Sequence, residues 1–179
     1  MSRLVAFLRG INVGGHIVKM DELRRHFTAV GCKDVETFIA SGNVIFATPS
    51  RGAEALQQRI EDRLRRALGY EVPTFLRTEL EVAGIAGHRP FDAAQLESAV
   101  SLNVGFLAEP VRPVGRKRLM ALRTEVDDFR VNGREVYWLS RRKISESTVS
   151  YAALEKALET SATFRGLRTV ERIAARLAE

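Results

Sequence analysis

The chain contains few of the residues that build disulfide frameworks, metal sites and membrane spans. Its 179 residues include one cysteine, Cys32, and three histidines. A single thiol excludes an internal disulfide and fits a reducing compartment, and the histidines show no metal-ligand spacing. No apolar run reaches the ~20 residues that a membrane-spanning helix needs. We therefore expect a cytoplasmic protein with no metal, no cofactor and no membrane partner.

Basic residues are in excess, and most of them are arginine. Lysine and arginine number 28 against 22 acidic residues, which gives a net charge of +6. Because arginine pairs with both carboxylates and phosphates, the excess indicates either an anion-binding surface or salt-bridged helix faces in a GC-rich genome. The spacing of Glu61 before Arg65, and of Asp62 before Arg66, favours salt-bridged faces.

The first 77 residues alternate strand and helix patterns. Apolar and β-branched runs predict strands at residues 3–9, 35–40, 43–48 and 72–77, with a hairpin turn at Ser41 and Gly42. Apolar residues three and four apart predict two helices, and those residues are Met20, Leu23, Phe27, Val30, Leu56, Ile60, Leu64 and Leu68. The order β-α-β-β-α-β is the ferredoxin-like plan.

The second half repeats most of this order. Thr78 and Glu81 form a capping box that predicts a connecting helix. Strands are expected at residues 99–107, 129–131 and 135–140, helices at 113–126 and 148–158, and a last strand between 160 and 167. Asn132 and Gly133 predict the turn of a second hairpin. We expect an α+β protein with a ferredoxin-like subdomain (1–77), a connecting helix and linker (78–98), and a second such subdomain (99–179) that ends in an amphipathic helix.

The predicted topology brings three loops to one edge of the first sheet. With strand order 4-1-3-2, residues 9–19, 41–43 and 69–71 meet at the end of the first strand. Glycine lets backbone N–H groups approach a ligand, and the positive end of the first helix lies beside them. This edge predicts a site for a small anionic or phosphate-bearing molecule. The candidate ligand-binding residues are Arg9, Asn12, Gly14, Gly15, Ser41 and Asn43.

No sequence motif assigns a reaction. The glycines at 10 and 15 have P-loop spacing, but His16 and Ile17 stand where that loop needs lysine and serine or threonine. The glycines are also typical of a plain strand-to-helix turn. Ser41 has only His16 as a candidate base and no orienting group, so catalytic residues stay unassigned. The hydroxyl residues at 145–150 are interpreted as helix caps.

Two other functions stay open. Ferredoxin-like sheets include RNA-recognition modules, but Phe7 and Phe46 lack the surrounding RNP1 pattern. The basic clusters at residues 116–118 and 141–143 offer contacts to phosphates, so a nucleic-acid or protein interaction module with an arginine-rich surface is the alternative. A third interpretation has the glycine loop only packing the subdomains together. Monomer and homodimer both fit the sequence.

Two N-terminal segments resemble a known family. Residues 8–15 read Leu-Arg-Gly-Ile-Asn-Val-Gly-Gly, and residues 41–46 read Ser-Gly-Asn-Val-Ile-Phe. Together they strongly resemble the bacterial domain-of-unknown-function 1697 family. This resemblance implies two ferredoxin-like subdomains and no established activity, cofactor or catalytic residue. The chain departs from the family pattern at His16, where lysine is typical, and at residues 147–149 and 165–167.

Overall fold

The computed structural model describes all 179 residues except the side chain of Ser41. By compactness the chain divides into two units, one containing residues 1–84 and 172–179 and the other residues 85–171. The elements of the first half are β1 (Ser2–Leu8), α1 (Met20–Ala29), β2 (Lys33–Phe38), β3 (Ala40–Thr48), α2 (Ala53–Leu68), β4 (Thr74–Thr78) and α3 (Glu79–Gly87). No helix in the described part of the chain has the length and apolar character needed to cross a membrane.

The second half repeats the order of the first after one short helix. Its elements are α4 (Ala93–Ser98), β5 (Ser101–Phe106), α5 (Pro113–Met120), β6 (Asp127–Asn132), β7 (Glu135–Ser140), a 3-10 turn (Ile144–Glu146), α6 (Tyr151–Leu158), β8 (Thr163–Gly166) and α7 (Leu167–Leu177). No loop separates β8 from α7, since Gly166 ends the strand and Leu167 begins the helix. Residues 172–179 at the end of the chain belong to the first unit.

Each unit contains one four-stranded antiparallel sheet, as the α+β prediction requires. The sheets have the orders β2-β3-β1-β4 and β6-β7-β5-β8, which are the ferredoxin-like order in both cases. In the first unit alternate residues of β1 (Leu4, Ala6 and Leu8) pack with the buried stripes of α1 and α2. In the second unit Trp138 of β7 is fully buried and packs with Phe129 and Leu154.

The first hairpin reverses at Ile39 rather than at Ser41 and Gly42. Ile39 has φ of 66°, and β3 already begins at the next residue. The register of β3 against β2 then shifts, because Thr37 pairs with Val44 while Phe38 pairs with Ala40. The predicted turn is therefore wrong: Gly42 lies in an irregular part of β3, and a β-branched residue takes the left-handed conformation that favours glycine.

The second hairpin lies where it was predicted, but its turn is one residue later. Asn132 pairs with Glu135, so Gly133 and Arg134 form the two-residue loop. Only Gly133 of these residues has positive φ, at 59°. A single positive φ at the first loop position is the pattern of a type II′ turn, for which the side chain of Asn132 is not needed.

Two helices also differ from the sequence analysis. Residues 88–98 were expected to be a linker, but they contain α4, whose N-cap Asp92 and Gln95 form a reciprocal capping box. The helix expected at 113–126 ends at Met120. The capping box of Thr78 and Glu81 is confirmed, since each backbone N–H donates to the other residue's side-chain oxygen, at 2.8 and 3.2 Å.

Candidate functional site

The loop after β1 has a fixed conformation that depends on its own residues. Asn12 has φ of 55°, and its Oδ1 accepts a hydrogen bond of 2.6 Å from the backbone N–H of Val18. The N–H of His16 donates to the carbonyl of Val13 at 3.2 Å. Gly14 and Gly15 have φ of 61° and 87°, a region that other residues rarely enter. We call residues 10–19 the glycine loop.

Three chain segments lie at this end of the first sheet. The β1–β3 ladder ends with Phe7 opposite Asn43. The backbone N–H of Arg9 donates to the carbonyl of Pro73 at 3.0 Å, which joins the end of β1 to the segment before β4. In the glycine loop, the His16 ring lies 4.1 Å from the Tyr70 ring, measured between centroids. We call this end of the sheet the first-sheet edge.

The candidate residues do different things at the first-sheet edge. Asn43 is 1% exposed, and its Nδ2 donates to the carbonyl of Phe38 at 3.2 Å, so this amide holds the β3 irregularity in place. Asn12 closes the glycine loop. Arg9 is half-buried, whereas Gly14 and Gly15 are exposed. The side chain of Ser41 lies outside the described residues. The side chains of Asn12 and Asn43 thus shape the edge.

Two backbone N–H donors and one buried hydroxyl lie at the first-sheet edge. Among the described residues, no acceptor is bound to the N–H of Gly14 or of Gly15. The Tyr70 hydroxyl is buried, and it has no hydrogen-bond partner in the same part of the chain. Burial raises the pKa of Tyr70, so the hydroxyl keeps its proton. A buried polar group without a partner is unusual in proteins and calls for a physical explanation.

The charge around the glycine loop is mixed. Lys19 is the N-cap of α1 and is exposed, and no side chain caps the helix there. Asp21 and Glu22 occupy the first turn of α1, where their charges offset part of the positive helix dipole. Arg9 and Lys19 are therefore the cationic side chains from which an anion at this edge would gain charge pairing.

The acidic residues of α2 do not form the predicted ion pairs. Glu61 Oε1 accepts from the backbone N–H of Thr74 at 2.8 Å, and burial raises the pKa of Glu61. Asp62 pairs with Arg65, three residues on, at 3.2 Å. The predicted partnerships are wrong because α2 turns Glu61 towards β4. Arg66 is left on an exposed face without a carboxylate partner among the described residues.

Two hollows lie between α1 and α2, on the exposed side of these helices in the first unit. They have volumes of about 430 and 510 Å³, and Arg63 lines both. We call them together the arginine groove. It is lined by Lys19, Glu22, Arg25, His26, Ala29, Val30, Arg59, Asp62, Arg63 and Arg66. Sequence reasoning missed the groove because it paired Arg66 with Asp62 and interpreted the dense arginines of α2 as a solvated helix face.

The second unit contains the largest cavity described, with a volume of about 810 Å³. It lies where β8 ends and α7 begins, beside the first residues of β5. Leu96, Leu102 and Ile144 give it an apolar wall, and Asn103 and Tyr151 add polar groups. We call it the β5 cavity. No sequence signal marked it, because its lining comes from five separate segments.

The buried ionisable groups of the described residues include Cys32 and Tyr137. Burial raises the pKa of the Cys32 thiol to about 11, with Arg59 opposing the shift, so the sulfur stays protonated near neutral pH. Burial also raises the pKa of Tyr137, whose hydroxyl donates to the carbonyl of Ile85 at 3.3 Å. Within the described residues, no group of three histidine, cysteine or acidic side chains is arranged to hold a metal ion.

The hydroxyl residues before α6 are structural. Ser150 caps α6, since its Oγ accepts from the N–H of Ala153 at 3.1 Å, as predicted. Ser147 Oγ donates to the carboxylate of Asp127 at 2.8 Å, and the Trp138 indole N–H donates to the same carboxylate at 2.8 Å. Asp127 is fully buried, so this network anchors the segment before α6 to the core of the second unit.

Two α+β units of this kind define a protein with two ferredoxin-like subdomains. The chain belongs to the family described as Protein of unknown function (DUF1697), which matches residues 1–137. The solved structure of a conserved bacterial protein from Streptococcus pneumoniae is similar, with a TM-score of 0.76 and 22% sequence identity. The likeness covers 100% of this chain and 99% of that chain, and at this identity it shows the fold alone. No curated protein matches the chain in sequence.

Proposed function

We propose that this protein binds a small anionic molecule at the first-sheet edge. The observation that carries the proposal is the pair of exposed backbone donors at Gly14 and Gly15 in a loop that its own hydrogen bonds hold in shape. A preformed loop loses little conformational freedom when a ligand binds, so more of the interaction energy contributes to affinity. Arg9 and Lys19 supply positive charge at the same edge.

Backbone strain in the β2–β3 hairpin, at the same end of the first sheet, also supports a functional edge. Ile39 is a β-branched residue at φ of 66°, in a conformation that costs on the order of 1 kcal/mol. Strained residues of this kind are concentrated at binding sites, where surrounding contacts hold them. The buried Tyr70 hydroxyl, close to His16, is a second group at this edge. On binding it gains a hydrogen bond to the ligand or to a water molecule.

The donor set suits one phosphate or carboxylate group. Two adjacent N–H groups can donate to a single anionic centre, and a guanidinium from the same end of the sheet would add a bidentate contact. The glycine loop lacks the lysine and hydroxyl that a P-loop uses for nucleotide hydrolysis. The proposed activity is therefore binding, and it includes no bond cleavage.

Thermal unfolding tests this function. Inorganic phosphate, pyrophosphate and glucose 6-phosphate are added at ionic strength matched with chloride, and the midpoint of unfolding is recorded. A ligand at one hundred times its dissociation constant stabilises the folded state by about 2.7 kcal/mol, which is several degrees for a chain of this size. Equal midpoints in all three anions and in chloride would contradict the proposal.

Two variants locate the effect. Arg9→Gln removes the charge at the edge and is expected to abolish the anion-dependent shift, whereas Arg9→Lys retains part of it. Gly15→Ala strains the left-handed conformation and is expected to reduce the shift. Arg51→Gln, which changes an exposed arginine outside the edge, is the matched control. If the anion-dependent shift in the unfolding midpoint is unchanged in Arg9→Gln, the anion binds at another site.

The size and mixed lining of the β5 cavity favour a second candidate function, the binding of a small molecule with both apolar and polar groups in the second unit. Its volume falls within the ~300–1,000 Å³ of typical ligand pockets. Trp138, the only tryptophan, has its ring 5.6 Å from that of Tyr151, which lines the cavity. Tryptophan fluorescence should therefore change when the uncharged probe N-phenyl-1-naphthylamine binds there, and Leu102→Asp, which puts a charge on the apolar wall, should remove that change.

A further inference from the structure

The arginine groove combines a row of cations with few carboxylates. Arg59, Arg63 and Arg66 are exposed, and none of them forms a salt bridge within the described residues. The nearest acid on their own helix, Asp62, is engaged by Arg65 at 3.2 Å and by Gln58 at 3.3 Å. Like charges one turn apart on a helix repel each other, so this face gains stability from a bound polyanion.

The three arginines lie along one line of α2. Their spacing of four and then three residues puts them on successive turns of one face, over about 10 Å of helix axis. Arg63 is held in the middle, because its Nε donates to His26 Nδ1 at 3.3 Å. That bond uses only the Nε–H of the guanidinium, and Arg63 lines both hollows of the groove.

The opposite wall of the groove adds cations from α1. Lys19 and Arg25 are exposed and line the same hollow as His26 and Arg63. Glu22, also in this hollow, has its Oε1 3.7 Å from His26 Nε2, so its charge faces the imidazole. Cations therefore stand on both sides of the groove, with Arg63 shared between its two halves.

We infer that the arginine groove binds the phosphate backbone of single-stranded nucleic acid. The row of arginines is longer than one phosphate group, and a concave groove between two helices accepts a flexible strand rather than the convex face of a duplex. Among the described residues that line it, the only aromatic ring is that of His26, so bases have no stacking platform and binding is independent of sequence. The apolar residues of this described lining are Ala29 and Val30, too few for the core of a protein interface.

Salt dependence of RNA binding tests this inference. The affinity of the full-length protein for a fluorescent 20-nucleotide oligouridylate is measured by anisotropy between 50 and 300 mM salt. Each phosphate contact to a single strand contributes about −0.7 to the slope of log affinity against log salt. The triple variant Arg59→Gln, Arg63→Gln, Arg66→Gln should therefore reduce the size of the slope by about 2 and weaken binding at low salt at least tenfold.

A charge-matched variant separates the groove from general attraction. Arg24, Arg118 and Arg123 lie outside the groove, and each pairs with a carboxylate. Replacing all three with glutamine gives the same net charge as the groove variant and should leave affinity within about twofold. An oligodeoxyadenylate of equal length should bind within a few-fold of the oligouridylate, because no base is read.

Several outcomes overturn the inference. They are no binding at 50 mM salt, an equal loss in the charge-matched variant, or an unchanged slope in the groove variant. Tight binding of an acidic protein such as a polyglutamate peptide, without RNA binding, would assign the groove to a protein partner and also overturn it. Arg9→Gln should leave RNA binding unchanged, so this result does not depend on the small-anion site. Unfolding midpoints of both triple variants confirm that each is folded.

Discussion

The two units have the same strand order and differ in where their polar residues lie. In the first unit the connection from β1 to α1 is the exposed glycine loop, and the α2 arginines of the groove meet no carboxylate among the described residues. In the second unit the connection from β5 to α5 covers only residues 107–112, and its best-connected polar group, Asp127, is buried in the core. The same plan thus supports an open polar surface in one unit and a closed polar network in the other.

This difference shows where a repeated fold is free to change. The sheet order depends on apolar stripes that both halves share, so both halves keep it. Loops and outer helix faces contribute little to the core and tolerate different residues. Anion binding is therefore expected at the surface of the first unit, and the buried network of the second unit is expected to matter for stability.

The largest effect is expected from Asp127→Ala in the second unit. The substitution leaves the Trp138 indole N–H and the Ser147 hydroxyl without their acceptor inside the core. We expect the free energy of unfolding to fall by about 3 kcal/mol. Urea unfolding measures the change, and Asp127→Asn, which keeps one oxygen acceptor, should lose less than half as much. If both variants lose equally, the buried charge rather than the hydrogen bonds stabilises this network.

Two glycines give the next comparison. At Gly105 of β5 an added Cβ would lie 2.5 Å from Cε1 of Phe164, so Gly105→Ala should cost about 2 kcal/mol by overpacking. At Gly15 of the glycine loop no atom lies within 4 Å of an added Cβ, and only its φ of 87° opposes alanine, at about 1 kcal/mol. Thermal unfolding of both variants checks the order, and a larger loss at Gly15 would contradict it.

The buried carboxylate of the first unit should matter less than Asp127. Glu61→Ala removes the acceptor of one backbone N–H, that of Thr74, and should cost about 1–2 kcal/mol. Glu61→Gln keeps an oxygen for the same bond and removes a half-buried acid whose pKa is raised. It should therefore be close to neutral in urea unfolding. A loss in Glu61→Gln equal to that in Glu61→Ala would show that the charge itself is needed.

The smallest effect is a loss of stability in alkali that originates in the first unit. The pKa of Cys32 rises from 9.0 to about 11 on folding, so the folded state holds this proton more tightly than the unfolded state. The stabilisation is complete below pH 9 and is lost as the pH rises from 9 towards 11. By pH 10 the loss is about 1 kcal/mol.

The Cys32→Ala variant is the control for this pH effect. It starts from a lower stability, because a buried side chain is shortened, but it has no thiol to titrate. Its free energy of unfolding should therefore decline less between pH 8 and pH 10 than that of the unchanged protein, as followed by urea unfolding at each pH. Parallel declines in the two proteins would assign the alkaline effect to other groups.

Local patterns in the sequence predicted most of the fold. The stripes Leu23 and Phe27 on α1, and Leu56, Ile60 and Leu64 on α2, are buried as their spacing indicated. The capping residues Thr78 and Ser150 act as predicted because a cap needs only its own helix. Strand β8, left open between residues 160 and 167, is four residues long and too short to leave a periodic pattern.

Of the two proposed sites in the first unit, one was predictable from the sequence and the other was not. The glycine loop could be found from sequence because glycine marks positions where the backbone takes positive φ. The arginine groove could not be found, since the local spacing of Asp62 and Arg66 pointed to an ion pair. The position of β4 beside α2 draws Glu61 towards Thr74, and Arg65 takes Asp62 instead.

The sequence by itself determined the order of strands and helices apart from α4, the apolar faces that bury the core and the family to which the chain belongs. Only the tertiary structure decided that the first hairpin turns at Ile39, which acid each arginine meets and where the β5 cavity lies. The physical reason is range: propensity and periodicity act over a few residues, whereas turn position, ion-pair partners and cavities depend on segments that are far apart in the chain and meet only on folding.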